Sequence, residues 1–183
     1  MRFHMKKTIF ALTIASLLSA PAMASKEGFY IGADISANDI ESTSFGMGFG
    51  LVAGYDFQVA PQVVIGVEGE YRHFGEDSGS YIEGFGWKDK AYSYGFNVKP
   101  RYFFNDKFYA GVALGLHNTT LDAKDDFFGS IKESNTNLAY GIEAGYEINR
   151  NVVIKGGYKA YQAELIGVTF DADTFYIGAN YKF

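Results

Sequence analysis

Cysteine is absent from the 183 residues, so neither a disulfide framework nor thiol chemistry is open to this chain. Proline occurs three times and tryptophan once, against 22 glycines, 17 phenylalanines and 14 tyrosines. Scarce proline leaves long backbone runs free to pair, and aromatics and glycines in that proportion favour strands and turns over helices. Also missing is an apolar run of the ~20 residues that a spanning helix needs. The mean hydropathy of −0.07 agrees. This excludes a helical membrane protein but not a β-barrel, whose polar lumen face dilutes its apolar one. The formal charge of −5, without basic clusters, argues against nucleic acid as a partner.

What is present begins with a leader. Lys6 and Lys7 precede an apolar run from Ile9 to Leu18, and Ala22-Met23-Ala24 follows as a small-x-small cleavage pattern. Residues 1–24 read as a secretory signal peptide, with the mature chain starting at Ser25. Met1 and Met5 both remain open as the first residue. The leader takes Arg2, Lys6 and Lys7 and no acid, leaving residues 25–183 with a formal charge of −8. That length suits one domain.

From Gly28 onward the chain alternates. Eight segments of about ten residues show period 2, the length at which a tilted strand crosses a bilayer. The first aligns Phe29, Ile31, Ala33 and Ile35, and the second aligns Phe45, Met47, Phe49, Leu51, Ala53, Tyr55 and Phe57. The last, FYIGANYKF, aligns Phe175, Ile177, Ala179, Tyr181 and Phe183 and stops on an aromatic residue. Short turns around Gln58–Gln62, Phe103–Lys107 and Ile148–Asn151 alternate with longer loops near Asn38–Ser44, Gly75–Lys90, Asn118–Asn135 and Gln162–Asp171. The fold class expected is all-β: an eight-stranded antiparallel up-and-down transmembrane barrel, with short periplasmic turns and longer outer loops.

Aromatics gather at two heights. Phe29, Tyr55, Phe57, Tyr102, Phe103, Phe108, Tyr146, Tyr181 and Phe183 lie by the short turns. Phe45, Tyr71, Tyr92, Tyr94, Tyr158 and Phe175 lie by the long loops. Two belts on every strand are the girdles of a membrane barrel, and a soluble sandwich does not account for them. The other face is small and polar, so it is assigned to the lumen rather than to solvent, as a lipocalin-type barrel would require. That places Asp34, Asp56, Glu68, Glu70, Glu143 and Glu147 inside with Arg72, Lys99, Arg101, Lys155, Lys159 and Lys182. Six acids facing six bases read as a paired network that fills the lumen. Across the tight INRN turn, Glu143 and Lys155 are expected at similar heights as partners.

The strand GVEGEYRHFG, the hairpin YGIEAGYEINRNVVIKGGYKAY and the terminal Phe183 resemble the OmpA-like and OmpX-like outer-membrane β-barrels over Gly28–Phe183. The resemblance implies a bacterial outer-membrane location. It also implies that Phe175, Ile177, Tyr181 and Phe183 form the terminal-strand signature read by the barrel assembly machinery. Expected partners are outer-membrane lipid, lipopolysaccharide and that machinery, with host or surface ligands at the loops, and the barrel is expected to be a monomer. No peptidoglycan-binding domain is expected after Phe183.

The resulting reading is a non-enzymatic surface-presenting barrel that uses no cofactor or metal and serves envelope integrity or adhesion. One alternative is a lipid A-modifying acyltransferase or deacylase, drawing on His73 with Asp77 and Ser78 or His117 with Asn118 and Thr119. The other is a narrow, low-conductance pore. Tyr81, Phe85 and Trp87 in the second long loop are candidate surface-binding residues. Asp122, Asp125 and Asp126 in the third lack an EF-hand spacing and read first as a solvated acidic loop.

Overall fold

A computed structural model of the protein describes residues 26–40, 43–82, 85–125, 129–165 and 168–183. Within them, side chains at 40, 43–45, 77–82, 85–89, 121, 123–125, 129–133, 163–165 and 168–171 are not described. The strands are β1 (Gly28–Ile40), β2 (Thr43–Ala60), β3 (Val63–Ile82), β4 (Phe85–Phe103), β5 (Phe108–Asp125), β6 (Gly129–Glu147), β7 (Val152–Leu165) and β8 (Val168–Lys182). Each pairs antiparallel with the next, and β1 pairs with β8 from Tyr30↔Lys182 to Ile40↔Ala172, closing an eight-stranded barrel.

Strict alternation is what makes the cylinder two-faced. Odd positions of β1, β2 and β8 and even positions of β4, β5 and β6 turn outward. Ile35, Leu51, Phe96, Leu116, Ile142 and Ile177 each expose 50% or more of their surface there. A soluble monomer does not carry an apolar surface of that extent, but hydrocarbon accepts it.

Inside, large side chains stand against small ones. Tyr30 lies opposite Gly54, Tyr109 opposite Gly145 and Tyr176 opposite Gly157. A Cβ at Gly145 would sit 2.3 Å from the Tyr109 ring, and one at Gly54 would sit 2.6 Å from the Tyr30 hydroxyl. Glycine opens the room that a lumen tyrosine occupies in so narrow a barrel.

The long outer loops do not take the expected form. Their sequences continue as strand, so that β2 to β6 run 18 to 20 residues rather than about ten. At ~3.3 Å per residue a 20-residue strand is ~66 Å long, about twice what a tilted crossing uses. The pairing nevertheless splits at the outer rim. The β2–β3 ladder ends at Phe49↔His73 and the β6–β7 ladder at Ala139↔Tyr161, while β3–β4, β4–β5 and β5–β6 continue to the tips. Among the described residues, four strands therefore rise above the belt as a sheet whose outer edges outrun the β2 and β7 ladders. A bulge between His73 and Gly75, with Gly75 at φ +112°, marks where β3 leaves β2.

One belt residue is corrected. Phe103 is only 2% exposed and packs inward with Val64, Tyr109 and Val153 at the short-turn end. It falls within the run Tyr102-Phe103-Phe104, where three consecutive aromatics cannot all share one face.

Candidate functional site

The lumen is the chemically dense region. All six acids and six bases assigned to it are inside, none more than 7% exposed. Eleven of them form three tiers along the barrel axis, and Glu147 pairs with Lys26 at the short-turn mouth. Nearest the short turns, Asp56 takes the Arg101 guanidinium and lies 3.1 Å from the Lys182 Nζ.

In the middle tier, Glu143 accepts hydrogen bonds from Lys99 Nζ at 2.6 Å and from the hydroxyls of Tyr109 and Tyr176 at 2.9 Å each. Glu68 accepts from Tyr30 at 3.0 Å and from Lys99 at 3.4 Å. Lys155 sits 4.0 Å from both carboxylates. The expected Glu143–Lys155 pair is thus present, but as the looser of two contacts. The ladder sets Glu143 against Gly157 and Lys155 against Gly145, two residues apart along the hairpin. The tighter ion pair comes from Lys99 on β4, reaching across the lumen at 2.6 Å.

In the outer tier, Glu70 binds Lys159, Arg72 Nε at 2.9 Å and the Tyr161 hydroxyl at 2.6 Å. Arg72 also reaches Asp34 at 2.9 Å. Asn97 donates to Glu70 at 2.7 Å, which fixes its amide because a carboxylate only accepts. Its oxygen then faces His117 Nε2 at 2.9 Å, so that nitrogen carries the proton and Nδ1 can accept from Ser93 Oγ at 3.2 Å.

Apolar layers close both ends of this network. Val64, Phe103, Tyr109 and Val153 lie at the short-turn end. Phe74, Ala91, Ala139, Tyr161 and Ala172 lie at the other. Asn38 ties the outer layer together, donating to the Phe74 carbonyl at 2.8 Å and accepting from Thr174 at 2.9 Å.

The histidines do not assemble as the enzyme reading supposed. Asn118 and Thr119 belong to β5 rather than to a loop, and His117 is 1% exposed in the lumen and holds Ser93, itself fully buried. A serine–histidine–asparagine relay is thus present, but beneath Tyr161, whose ring stands 5.1 Å away. His73 stacks on Phe49 at 5.5 Å, and its Nδ1 accepts from the Gly75 amide at 3.1 Å. The side chains of Asp77, Ser78, Tyr81, Phe85, Trp87 and Asp125, together with Asp126 and the leader, lie outside the described residues. On the raised sheet, Glu76 pairs with Lys90 at 2.7 Å and holds that exposed ammonium above its ordinary pKa. Phe175, Ile177, Tyr181 and Phe183 face outward, 48–73% exposed.

Sequence reasoning missed Lys26, Tyr30, Tyr109 and Tyr176 as lumen groups. The three tyrosines carried a usable signal, each falling on the small-residue register of its strand.

The profile of the outer membrane protein beta-barrel domain matches residues 10–183. The chain belongs to this family. It is therefore an outer-membrane β-barrel protein, and the short-turn end is the periplasmic one. No curated protein sequence matches it. Among solved structures it is similar to Ail, the attachment invasion locus protein of Yersinia pestis, in complex with the heparin analogue sucrose octasulfate. The TM-score is 0.59 and the identity 21%, covering 86% of this chain and 97% of that one. Neisserial surface protein A follows at 0.56 and 16%, covering 85% and 97%. The N-terminal barrel domain of Pseudomonas aeruginosa OprF stands at 0.56 and 11%, covering 86% and 99%. At these identities the likeness establishes the fold.

Proposed function

We propose that this outer-membrane barrel presents its raised strands at the cell surface for adhesion and envelope integrity, and that it catalyses no reaction. The observation that carries the reading is the raised sheet above the belt. Among the described residues the β2–β3 ladder stops at Phe49↔His73 and the β6–β7 ladder at Ala139↔Tyr161, while β3 to β6 stay paired with one another beyond those points. A strand that outruns its neighbour's ladder offers an edge to which an incoming extended segment can add. The attachment role in the name of the Yersinia protein is what this reading extends to the present chain. Tyr81, Phe85 and Trp87, at the tip of the same hairpin, are the proposed side-chain contacts. Outer-membrane lipid and lipopolysaccharide surround the belt, the assembly machinery reads the terminal strand, and the barrel works as a monomer without cofactor.

The lumen network is proposed as a structural latch. Its fully buried Ser93 and His117 offer no substrate a path, which supports a non-catalytic role over lipid A modification. The leader is proposed to be cleaved after Ala24, so N-terminal sequencing of the membrane-inserted protein should return Ser25, and recovery of Met1 or Met5 would contradict it.

The decisive experiment replaces Glu76–Lys90 by a two-residue turn. Bacteria expressing the full barrel, the shortened barrel or neither are then compared for surface binding and detergent sensitivity. Loss of binding with an intact, heat-modifiable barrel supports the proposal. Equal binding by all three strains, with equal envelope sensitivity, would overturn it.

A further inference from the structure

Seven of the eight ladders are anchored by a hairpin connection, but the β1–β8 seam joins the two ends of the chain. Strand ends without a turn fray unless something else holds them. At the periplasmic end of this seam the last ladder contact is the Phe183 amide donating to the Phe29 carbonyl at 3.0 Å.

Lys26, two residues before β1, supplies a second tie. It is 7% exposed although it belongs to no strand. Its Nζ donates to Glu147 Oε2 and to the Asp106 carbonyl, both at 2.5 Å, and stands 4.9 Å over the Phe103 ring. Its amide donates to Gln58 Oε1 at 2.9 Å, and its carbonyl accepts from Lys182 Nζ at 2.6 Å. One residue thus reaches the end of β2, the β4–β5 turn, the end of β6 and the last strand. These points lie around the whole periplasmic mouth, directly below the apolar layer of Val64, Phe103, Tyr109 and Val153.

We propose that Lys26 is a closure latch, which fastens the start of the chain to its final strand and caps the periplasmic end of the lumen. The geometry asks for a lysine. A long apolar stem crosses the Phe103 ring, and a compact ammonium with three donors meets a carboxylate and a carbonyl at the far side of the mouth. Lys182 turns toward the Lys26 carbonyl, so the latch and the last strand hold each other. This inference concerns barrel closure and is independent of what the surface sheet binds.

The test is amide hydrogen exchange by NMR on the full mature chain refolded in phospholipid bilayers. It compares the wild type with the Lys26→Met, Glu147→Gln double variant, which removes the ammonium without leaving Glu147 charged and unpaired. The latch predicts that the Phe183 amide, which donates to the Phe29 carbonyl across the seam, exchanges about tenfold faster, with Lys182, whose amide donates to Asn151 on the β7 side, Val67 in β3 and Leu114 in β5 unchanged. Uniform acceleration at all four sites would reduce Lys26 to a general stabiliser and overturn the proposal, as would no change at any of them. If the double variant does not assemble, Lys26→Gln, which keeps a donor on a shorter stem, must show the same local pattern for the proposal to stand.

Discussion

Glu143 accepts three short hydrogen bonds within a closed lumen, from Lys99, Tyr109 and Tyr176. Removing one member of a buried ion pair leaves the other charge stranded, typically at a cost of about 3–5 kcal/mol, whereas removing both costs much less. In urea unfolding from lipid vesicles, Glu143→Gln and Lys99→Met should each destabilise the barrel by about that amount, and the double variant should recover part of the loss. Lys155→Met should cost less than Lys99→Met, because Lys155 stands 4.0 Å from its acids. Additive losses for Glu143 and Lys99 would show that they are not coupled. A second expectation concerns space. Gly145→Ala puts a methyl against the Tyr109 ring and should destabilise by about 1–3 kcal/mol in the same assay. Combining it with Tyr109→Ala should restore room, and a neutral Gly145→Ala would contradict the packing. Which face each of these residues takes was legible, because period 2 determines it. Which residues meet was not. Lys99 and Glu143 lie on strands two apart around the barrel, and alternation along a strand carries no information about reach across the lumen.

Strand length shows where the pattern stops informing. Within the membrane each strand needs an apolar outer face, so β1 to β8 announced themselves there. Above the headgroups both faces meet water, the alternation loses its apolar half, and Gly75–Lys90 reads as a polar loop although its backbone pairs through Glu76↔Lys90 and Asp77↔Asp89. Phe103 failed for a related reason, since its aromatic run offers no alternation to read. Lys26 belongs to no periodic segment, so nothing in its neighbourhood marked it. At this scale the terminal strand is open to test. Phe183 is 73% exposed at the periplasmic belt, with its amide tied to β1. Phe183→Asp, or deletion of Phe183, should reduce assembled barrel in the outer membrane and increase periplasmic degradation. This is read as loss of the heat-modifiable band on gels, and unchanged abundance and migration would refute it.

For the molecule as a whole, the number of strands, their antiparallel order and the closure of the last on the first were all written in the sequence. A chain with eight two-faced segments has no other way to bury every edge in lipid. The filling of the lumen was legible only as a charge balance, whereas the structure turns it into three tiers of paired side chains between two apolar layers. An eight-stranded barrel leaves an interior just wide enough for side chains, and here they occupy it. On this account the barrel is a closed carrier for surface strands, with its charges spent on one another rather than on passing ions. The most direct test is single-channel recording of the refolded protein in planar bilayers. The account predicts no sustained conductance in the wild type, with brief small openings appearing once Glu143→Gln or Lys99→Met loosens the middle tier. A steady, large conductance from the wild-type barrel would contradict it.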